Sequence, residues 1–260
     1  GNSRSVPIGE IVAQARLLTE QGYPELVLTG VDISSYGEDL PGSPTLGQMV
    51  KRLLRLVPDL SRLRLSSIDV AELDEDLLEV IASESRFMPH LHLSLQAGDD
   101  MILKRMKRRH TRQQAIDMCA KLRKLRPDVV FGADIIAGFP TEDDTMFGNT
   151  LNIVHEIGIP HLHVFPYSER EGTPAANIPS DKQVSIPVRK ERAALLREAG
   201  AQCLQQHLTT RIGKTEQIVV EKDNWAHTEQ FLKIKLQGEY AVGEVRSVEV
   251  TGVEEGYLVA

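Results

Sequence analysis

The residues best suited to chemistry crowd into one stretch, His90 to Thr111, with the sequence HLHLSLQAGDDMILKRMKRRHT. Alternation over its first seven residues predicts a strand with Leu91, Leu93 and Leu95 on one face and His90, His92, Ser94 and Gln96 on the other. In a parallel α/β sheet the leucine face packs under helices. The polar face must then look into a cavity, because each buried polar group left without a partner costs about 1–3 kcal/mol. After the turn Ala97-Gly98-Asp99-Asp100, a short predicted helix ends in Lys104, Arg105, Lys107, Arg108 and Arg109. Cations at that place suit a carboxylate or phosphate near the strand's C-terminal end, although such a run also serves as a solvated helix face. Two His-x-His pairs, His90/His92 and His161/His163, raise another chemistry, since with Asp134 they could ligate a catalytic zinc in a barrel hydrolase. His90 and His161 lie near the predicted strand starts, away from where such ligands gather, so no metal ligand is expected.

These side chains need elements to hold them. Pro7 opens a helix with Ile11, Val12, Ala15 and Leu18 at helical spacing, and Glu25 to Thr29 is a short strand running into Gly30-Val31-Asp32. A helix from Thr45 to Leu56, a strand from Leu63 to Ser67 and an acidic helix from Asp74 to Ser83 follow. Beyond the central stretch come a helix from Arg112 to Leu125 closed by Pro127, a strand from Val129 to Ile136, and the turn Gly138-Phe139-Pro140. Thr141 is placed to cap the next helix, and the acids after it suit a positive helix end. His161 to Phe165 is a fifth strand before the turn-rich loop Pro166 to Pro179. Strand, loop and helix repeat five times, which selects an α/β barrel or an open parallel sheet.

Parallel sheets place ligands at the C-terminal ends of their strands. Alternation sends Thr29, Arg64, Ser66, Ser94, Gln96, Asp134 and His163 toward that mouth. From Val188 to Leu208 a long charged helix reads as a connector. After Gly213 short β-branched runs, Ile218–Val220, Phe231–Leu236, Val245–Val250 and Tyr257–Val259, alternate with glycine and charged turns, the pattern of a small all-β barrel. The expected domains are therefore residues 1–208 and 209–260.

A chain of 260 residues with a net charge of −7 carries no global footprint for nucleic acid, so RNA contact would need local basic patches. From Gly213 onward there are five Lys or Arg against nine Asp or Glu, which predicts weak nonspecific RNA affinity. His227, Trp225 and Phe231 could stack bases or pack a core. Cys119 and Cys203, far apart in helical patterns, read as small apolar residues rather than a disulfide or metal pair. No apolar run reaches about 18 residues and no leader pattern is present, which predicts a cytoplasmic protein with no membrane association.

Six segments carry a family resemblance: Gly30-Val-Asp-Ile-Ser-Ser-Tyr-Gly37, Arg62-Leu-Arg-Leu-Ser-Ser-Ile-Asp69, His92-Leu-Ser-Leu-Gln-Ala-Gly-Asp-Asp100, Leu103-Lys-Arg-Met-Lys-Arg108, Asp134-Ile-Ile-Ala-Gly-Phe-Pro-Thr-Glu142 and Phe165-Pro-Tyr-Ser-Glu-Arg-Glu-Gly-Thr173. Together they resemble the radical S-adenosylmethionine methylthiotransferases, most of all the branch that modifies threonylcarbamoyladenosine beside the tRNA anticodon. Ala226-His-Thr-Glu-Gln-Phe231 resembles the RNA-associated TRAM barrel that follows in that family. Alternative substrates within the family are isopentenyladenosine and a ribosomal-protein side chain. A cofactor-free RNA-binding module is the reading from another class.

The resemblance implies a partial parallel barrel of the radical SAM type, S-adenosylmethionine as cofactor and the tRNA anticodon stem-loop as partner. It assigns the Thr29-Gly30 turn to the methionyl end of the cofactor, Ser94 and Gln96 to the ribose side and Arg108 to the carboxylate, and counts Asp32 and Ser66 among the cofactor-binding residues. Ile136, Gly138 and Pro140 are assigned to the border of the adenine, and Asp134 and His163 are counted among the cofactor-binding residues. Arg109-His110 replaces the family's common Gly-Tyr, and Asp134 stands where Gly is frequent. Family members bind a 4Fe-4S cluster through three cysteines after the first barrel strand and carry a second cluster in an N-terminal domain. Gly1-Asn-Ser-Arg-Ser5 resembles the segment just after that cysteine loop, so the expectation is a chain lacking the first strand and the cluster ligands, without catalytic residues of its own and inactive alone.

Overall fold

The computed structural model describes residues 4–260; Gly1, Asn2 and Ser3, and the reading placed on them, lie outside the described residues. In chain order the elements are α1 (Ile8–Glu20), β1 (Glu25–Leu28), α2 (Leu46–Leu56), β2 (Arg62–Leu65), β3 (Ser67–Ile68), α3 (Glu75–Ser83), β4 (His90–Gln96), α4 (Asp100–Arg105), α5 (Arg112–Leu125), β5 (Val130–Ala137), α6 (Asp144–Ile157), β6 (His161–Pro166) and α7 (Ile186–Thr209). A C-terminal series follows: β7 (Thr215–Val220), β8 (Trp225–Thr228), β9 (Lys233–Lys235), β10 (Val245–Glu249), β11 (Gly252–Glu254) and β12 (Tyr257–Val259).

Local chemistry accounts for most helix starts. Thr45 and Gln48 exchange hydrogen bonds as a capping box at α2, and the Asp74 carboxylate accepts from Leu77 N–H to start α3. At α6 the expected cap is displaced by two residues. Asp143, not Thr141, accepts from Met146 N–H, while Thr141 takes a left-handed φ of 72° and donates its own N–H to the carbonyl of Lys182.

The chain divides into two compact units. The first comprises Gly1–Leu91, Leu122–Val130 and His207–Ala260. In it β1 and β2 pair in parallel from Glu25↔Arg62 to Leu28↔Leu65. The C-terminal strands form a six-stranded mixed sheet in the order β10-β7-β8-β9-β12-β11, antiparallel except for the β9–β12 pair. A buried ionic knot ties these parts of the unit together: Glu25 lies 2.8 Å from Arg62, 2.7 Å from Arg64 and 2.9 Å from His227. Arg64 also donates to the carbonyls of Thr228 and Glu229, at 2.8 and 2.7 Å, and lies over the Phe231 ring. Arg64 thus leaves the set of ligand-facing candidates, because its donors are already taken.

The second unit comprises His92–Lys121 and Phe131–Gln206. Here β4, β5 and β6 are neighbours in one sheet, and β5 and β6 run parallel in register from Gly132↔His161 to Ala137↔Pro166. Leu93 and Leu95 are fully buried and His92, Ser94 and Gln96 are partly exposed, so the alternation of β4 holds in space. The α/β class with parallel sheets is therefore observed.

Candidate functional site

In the first unit, Thr29, Gly30 and Asp32 follow β1 and line a cavity of about 870 Å³ walled by Leu26, Leu28 and Met49. Asp32 accepts a hydrogen bond from Ser35 Oγ at 2.9 Å. Ser66 comes directly after β2, and its Oγ is buried with no hydrogen-bond partner among the described residues. The three aromatic candidates of the C-terminal sheet are engaged within the unit. His227 bridges Glu25 and Glu221, Phe231 stacks on His90 with ring centroids 5.3 Å apart, and Trp225 meets Tyr257 edge-on with Lys235 over its face.

In the second unit, two turns are held face to face by an apolar cluster. Ala97, Ile102 and Leu103, from the end of β4 and from α4, pack with Phe139, and Met106, Met146 and Tyr167 pack against them. The β4 side of this pairing is tight: Gln96 adopts a φ of 67°, and Gly98 donates to Thr150 Oγ1 at 3.1 Å. A Cβ on Gly98 would lie 2.5 Å from Ile153, so glycine is needed for the close approach. Asp99 caps α4 through Met101 and Ile102 and also holds Asn149. The basic run that follows places Arg105 on Thr141 Oγ1 and leaves Arg108 half-buried, its N–H on the carbonyl of Leu103.

The β5 side is clamped by α7, which does more than connect. Gly138 has a φ of 72°, and a Cβ there would lie 2.6 Å from Arg189 Cγ. Arg189 donates to the carbonyls of Val184 and Tyr167 and lies over the Tyr167 ring. Gly138 N–H donates to Glu142 Oε1 at 3.0 Å, and Arg192 donates to the same oxygen at 2.9 Å. Burial pushes the Glu142 carboxyl up from its ordinary pKa, and Arg192 pulls it partway back. Ile136 and Pro140 sit on either side of this braced turn, Pro140 buried and Ile136 half-buried. Glu142, Arg189 and Arg192 escaped sequence reasoning; the only signal was the i, i+3 arginine pair on one face of the long helix.

Asp134 and His163 occupy directly paired positions of β5 and β6. Asp134 Oδ1 lies 3.0 Å from His92 Nε2 and 3.2 Å from His163 Nδ1, and the two rings are 4.9 Å apart. One ligand atom from each residue falls within 4.8 Å of the others, so this trio could hold a cation. Burial lowers the His92 pKa against the opposing pull of Asp134, which favours the neutral ring. Ser94, Gln96, Asp134 and His163 thus arise from neighbouring strands of one unit.

The sequence pattern of the radical SAM superfamily matches residues 1–154. The chain is 55% identical over 258 residues to the threonylcarbamoyladenosine tRNA methylthiotransferase MtaB of Rickettsia prowazekii (strain Madrid E), an alignment covering 99% of this chain and 61% of the relative. With the enzyme of the same name from Aquifex aeolicus (strain VF5) it shares 35% identity over 245 residues, covering 94% of this chain and 58% of the relative. The chain therefore spans roughly three fifths of the length of these relatives. Among solved structures, coproporphyrinogen III oxidase from Escherichia coli, a radical SAM enzyme, aligns with a TM-score of 0.55 at 20% identity, covering 74% of this chain and 44% of that one. That likeness is one of fold. No helix among the described residues is long and apolar enough to cross a membrane. The chain belongs to the radical SAM superfamily.

Proposed function

We propose that this chain is the S-adenosylmethionine-binding and RNA-contacting part of a cytoplasmic methylthiotransferase that modifies threonylcarbamoyladenosine next to the tRNA anticodon. The observation that carries the reading is 55% identity across 99% of the chain to a relative named for that activity. Relatives named tRNA-2-methylthio-N(6)-dimethylallyladenosine synthase align less fully, at 38% identity over 75% of the chain, which favours the threonylcarbamoyl substrate over the isopentenyl one.

The residues fit S-adenosylmethionine. The cavity beside Thr29, Gly30 and Asp32 is within the roughly 300–1,000 Å³ typical of small-molecule sites, and the Ser66 hydroxyl is buried with a hydrogen bond to give. The proposed cofactor-binding residues are, in the first unit, Thr29, Gly30, Asp32 and Ser66 and, in the second unit taken by itself, Ser94, Gln96 and Arg108, with Ile136, Gly138 and Pro140 assigned to the base. Bound S-adenosylmethionine supplies the transferable methyl group and the deoxyadenosyl group. The protein's own part is to orient it: Glu142 and Arg192 hold the Gly138 turn, and the Phe139 cluster excludes water from beneath it.

An iron-sulfur cluster does not fit the residues present. Cys119 and Cys203 are both buried in helices, and cluster ligation takes about three or four convergent thiolates. The relatives are longer than this chain, and the cluster ligands are assigned to the part of such a protein outside it. Residues 1–208 are assigned to a partial barrel, and residues 209–260 to a closed TRAM-like barrel that meets the anticodon stem-loop.

The test uses the full-length protein, reconstituted anaerobically and given tRNA carrying threonylcarbamoyladenosine. Mass spectrometry of the digested nucleosides should show a methylthio group added to that residue. An unchanged nucleoside, with isopentenyladenosine tRNA modified instead, would overturn the substrate assignment. Failure of this chain to bind S-adenosylmethionine in a separate titration would favour a cofactor-free RNA-binding module.

A further inference from the structure

Three adjacent strands of the second unit each deliver one side chain to a common point: His92 from β4, Asp134 from β5 and His163 from β6. Two imidazole nitrogens approach a single carboxylate oxygen at 3.0 and 3.2 Å. Bonds of about 2.0–2.1 Å from a tetrahedral zinc would set donor atoms about 3.3 Å apart, close to these two nitrogen–oxygen distances. The backbone has made room for this arrangement. A Cβ on Gly132 of β5 would lie 2.5 Å from His92 Nδ1, so glycine at that position is what lets the imidazole sit against the strand. The His163 side chain is 61% exposed, which leaves one side of the trio open to water or ligand.

We propose that His92, Asp134 and His163 form a mononuclear site for a divalent transition ion such as Zn²⁺ or Fe²⁺, with its remaining coordination positions open. Two imidazoles and one carboxylate are a donor set such ions accept readily, and three protein ligands with open positions distinguish a reactive site from a closed structural one. In the ion-free chain the two histidines share Asp134 Oδ1 as hydrogen-bond acceptor. On binding, the ion takes over that oxygen and the two ring nitrogens facing it; a neutral ring shifts its proton through solvent to its other nitrogen, and a doubly protonated ring releases one proton to solvent. Asp134 and His163 then serve the ion rather than S-adenosylmethionine.

Chelator-stripped chain titrated calorimetrically with Zn²⁺, and with Co²⁺ followed by visible absorption, tests the site directly. One ion per chain is expected, with a nitrogen–oxygen Co²⁺ spectrum free of thiolate charge transfer. His163→Ala and Asp134→Asn should each weaken binding by about a hundredfold, the upper end of what even supporting residues cost at metal sites. Circular dichroism checks that both variants fold, and in the unaltered chain Zn²⁺ should raise the melting temperature independently of any substitution. His155→Gln is the control, because Cys203 Sγ lies 3.9 Å from His155 Nδ1 and offers the rival soft site. Absence of saturable binding, binding that survives Asp134→Asn and His163→Ala, or a thiolate-type Co²⁺ spectrum lost in His155→Gln would each overturn the assignment.

Discussion

Glu142 and Arg192 stand fifty positions apart in the chain, yet Arg192 Nη1 donates to Glu142 Oε1 at 2.9 Å, and the same carboxylate oxygen takes the N–H of Gly138. The glutamate side chain is wholly buried and the arginine nearly so. Removing one partner from such a pair leaves an uncompensated buried charge, which costs about 3–5 kcal/mol. Arg192→Ala should lower stability to urea by that order. Glu142→Gln keeps an acceptor for both donors and should cost clearly less if the hydrogen bonds dominate; equal losses in the two variants would show that the charge pairing itself is what holds the turn.

Gly138→Ala addresses the same turn from the backbone. A φ of 72° disfavours a side chain, and the added methyl would meet Arg189 Cγ at 2.6 Å. Strain of this kind costs about 1–3 kcal/mol. The turn should shift to relieve it, weakening S-adenosylmethionine binding by calorimetry while circular dichroism stays close to that of the parent. Unchanged affinity would place the cofactor elsewhere.

The knot around Glu25 predicts an acid limb in stability. Burial alone would raise this carboxyl, but hydrogen bonds from His227 and Arg64 outweigh it and hold the pKa at about 2. A carboxylate whose pKa is depressed by folding adds stability that is fully present above its unfolded value near 4.5, and that is lost as pH falls from there toward 2. The loss across that window is on the order of 3 kcal/mol. Urea midpoints measured from pH 5 to pH 2 should fall in the parent chain and flatten in Glu25→Gln, which is already destabilised at neutral pH.

Iron uptake checks the reading of the two cysteines. After anaerobic reconstitution with iron and sulfide, this chain alone should show no stable iron-sulfur absorbance, because its thiols are buried and only two in number. A brown protein retaining about four irons per chain would contradict that.

How much of this was legible beforehand depended on the range of the forces involved. The strand from His90 to Gln96 could be read from alternation because period-two patterning is local, and the helix starts read near Thr45 and Asp74 fall where local caps form. Thr141 failed as a cap because its backbone is committed to Lys182, a partner forty-one positions away that no window contains. The same blindness hid Arg189 and Arg192, whose surface-like spacing on a charged helix gave no sign that their partners were the Gly138 turn and Glu142. Arg64 looked like a ligand-facing residue by alternation, and only the folded chain shows that carbonyls at residues 228 and 229 claim its donors. Strands β8 and β11, with four and three residues, were too short for periodicity to register.

The bond from Arg64 to the carbonyl of Thr228 spans 164 positions, and that between Glu25 and His227 spans 202. During synthesis the early strands must therefore wait. Until residues 227–229 emerge, Glu25 lacks its bond to His227 and Arg64 lacks the carbonyls of Thr228 and Glu229, and β1 and β2 cannot reach their mature stability. Ribosome-bound intermediates released before His227 should thus be protease-sensitive across Glu25–Leu65, making the segment around His227 the latch that completes β1 and β2.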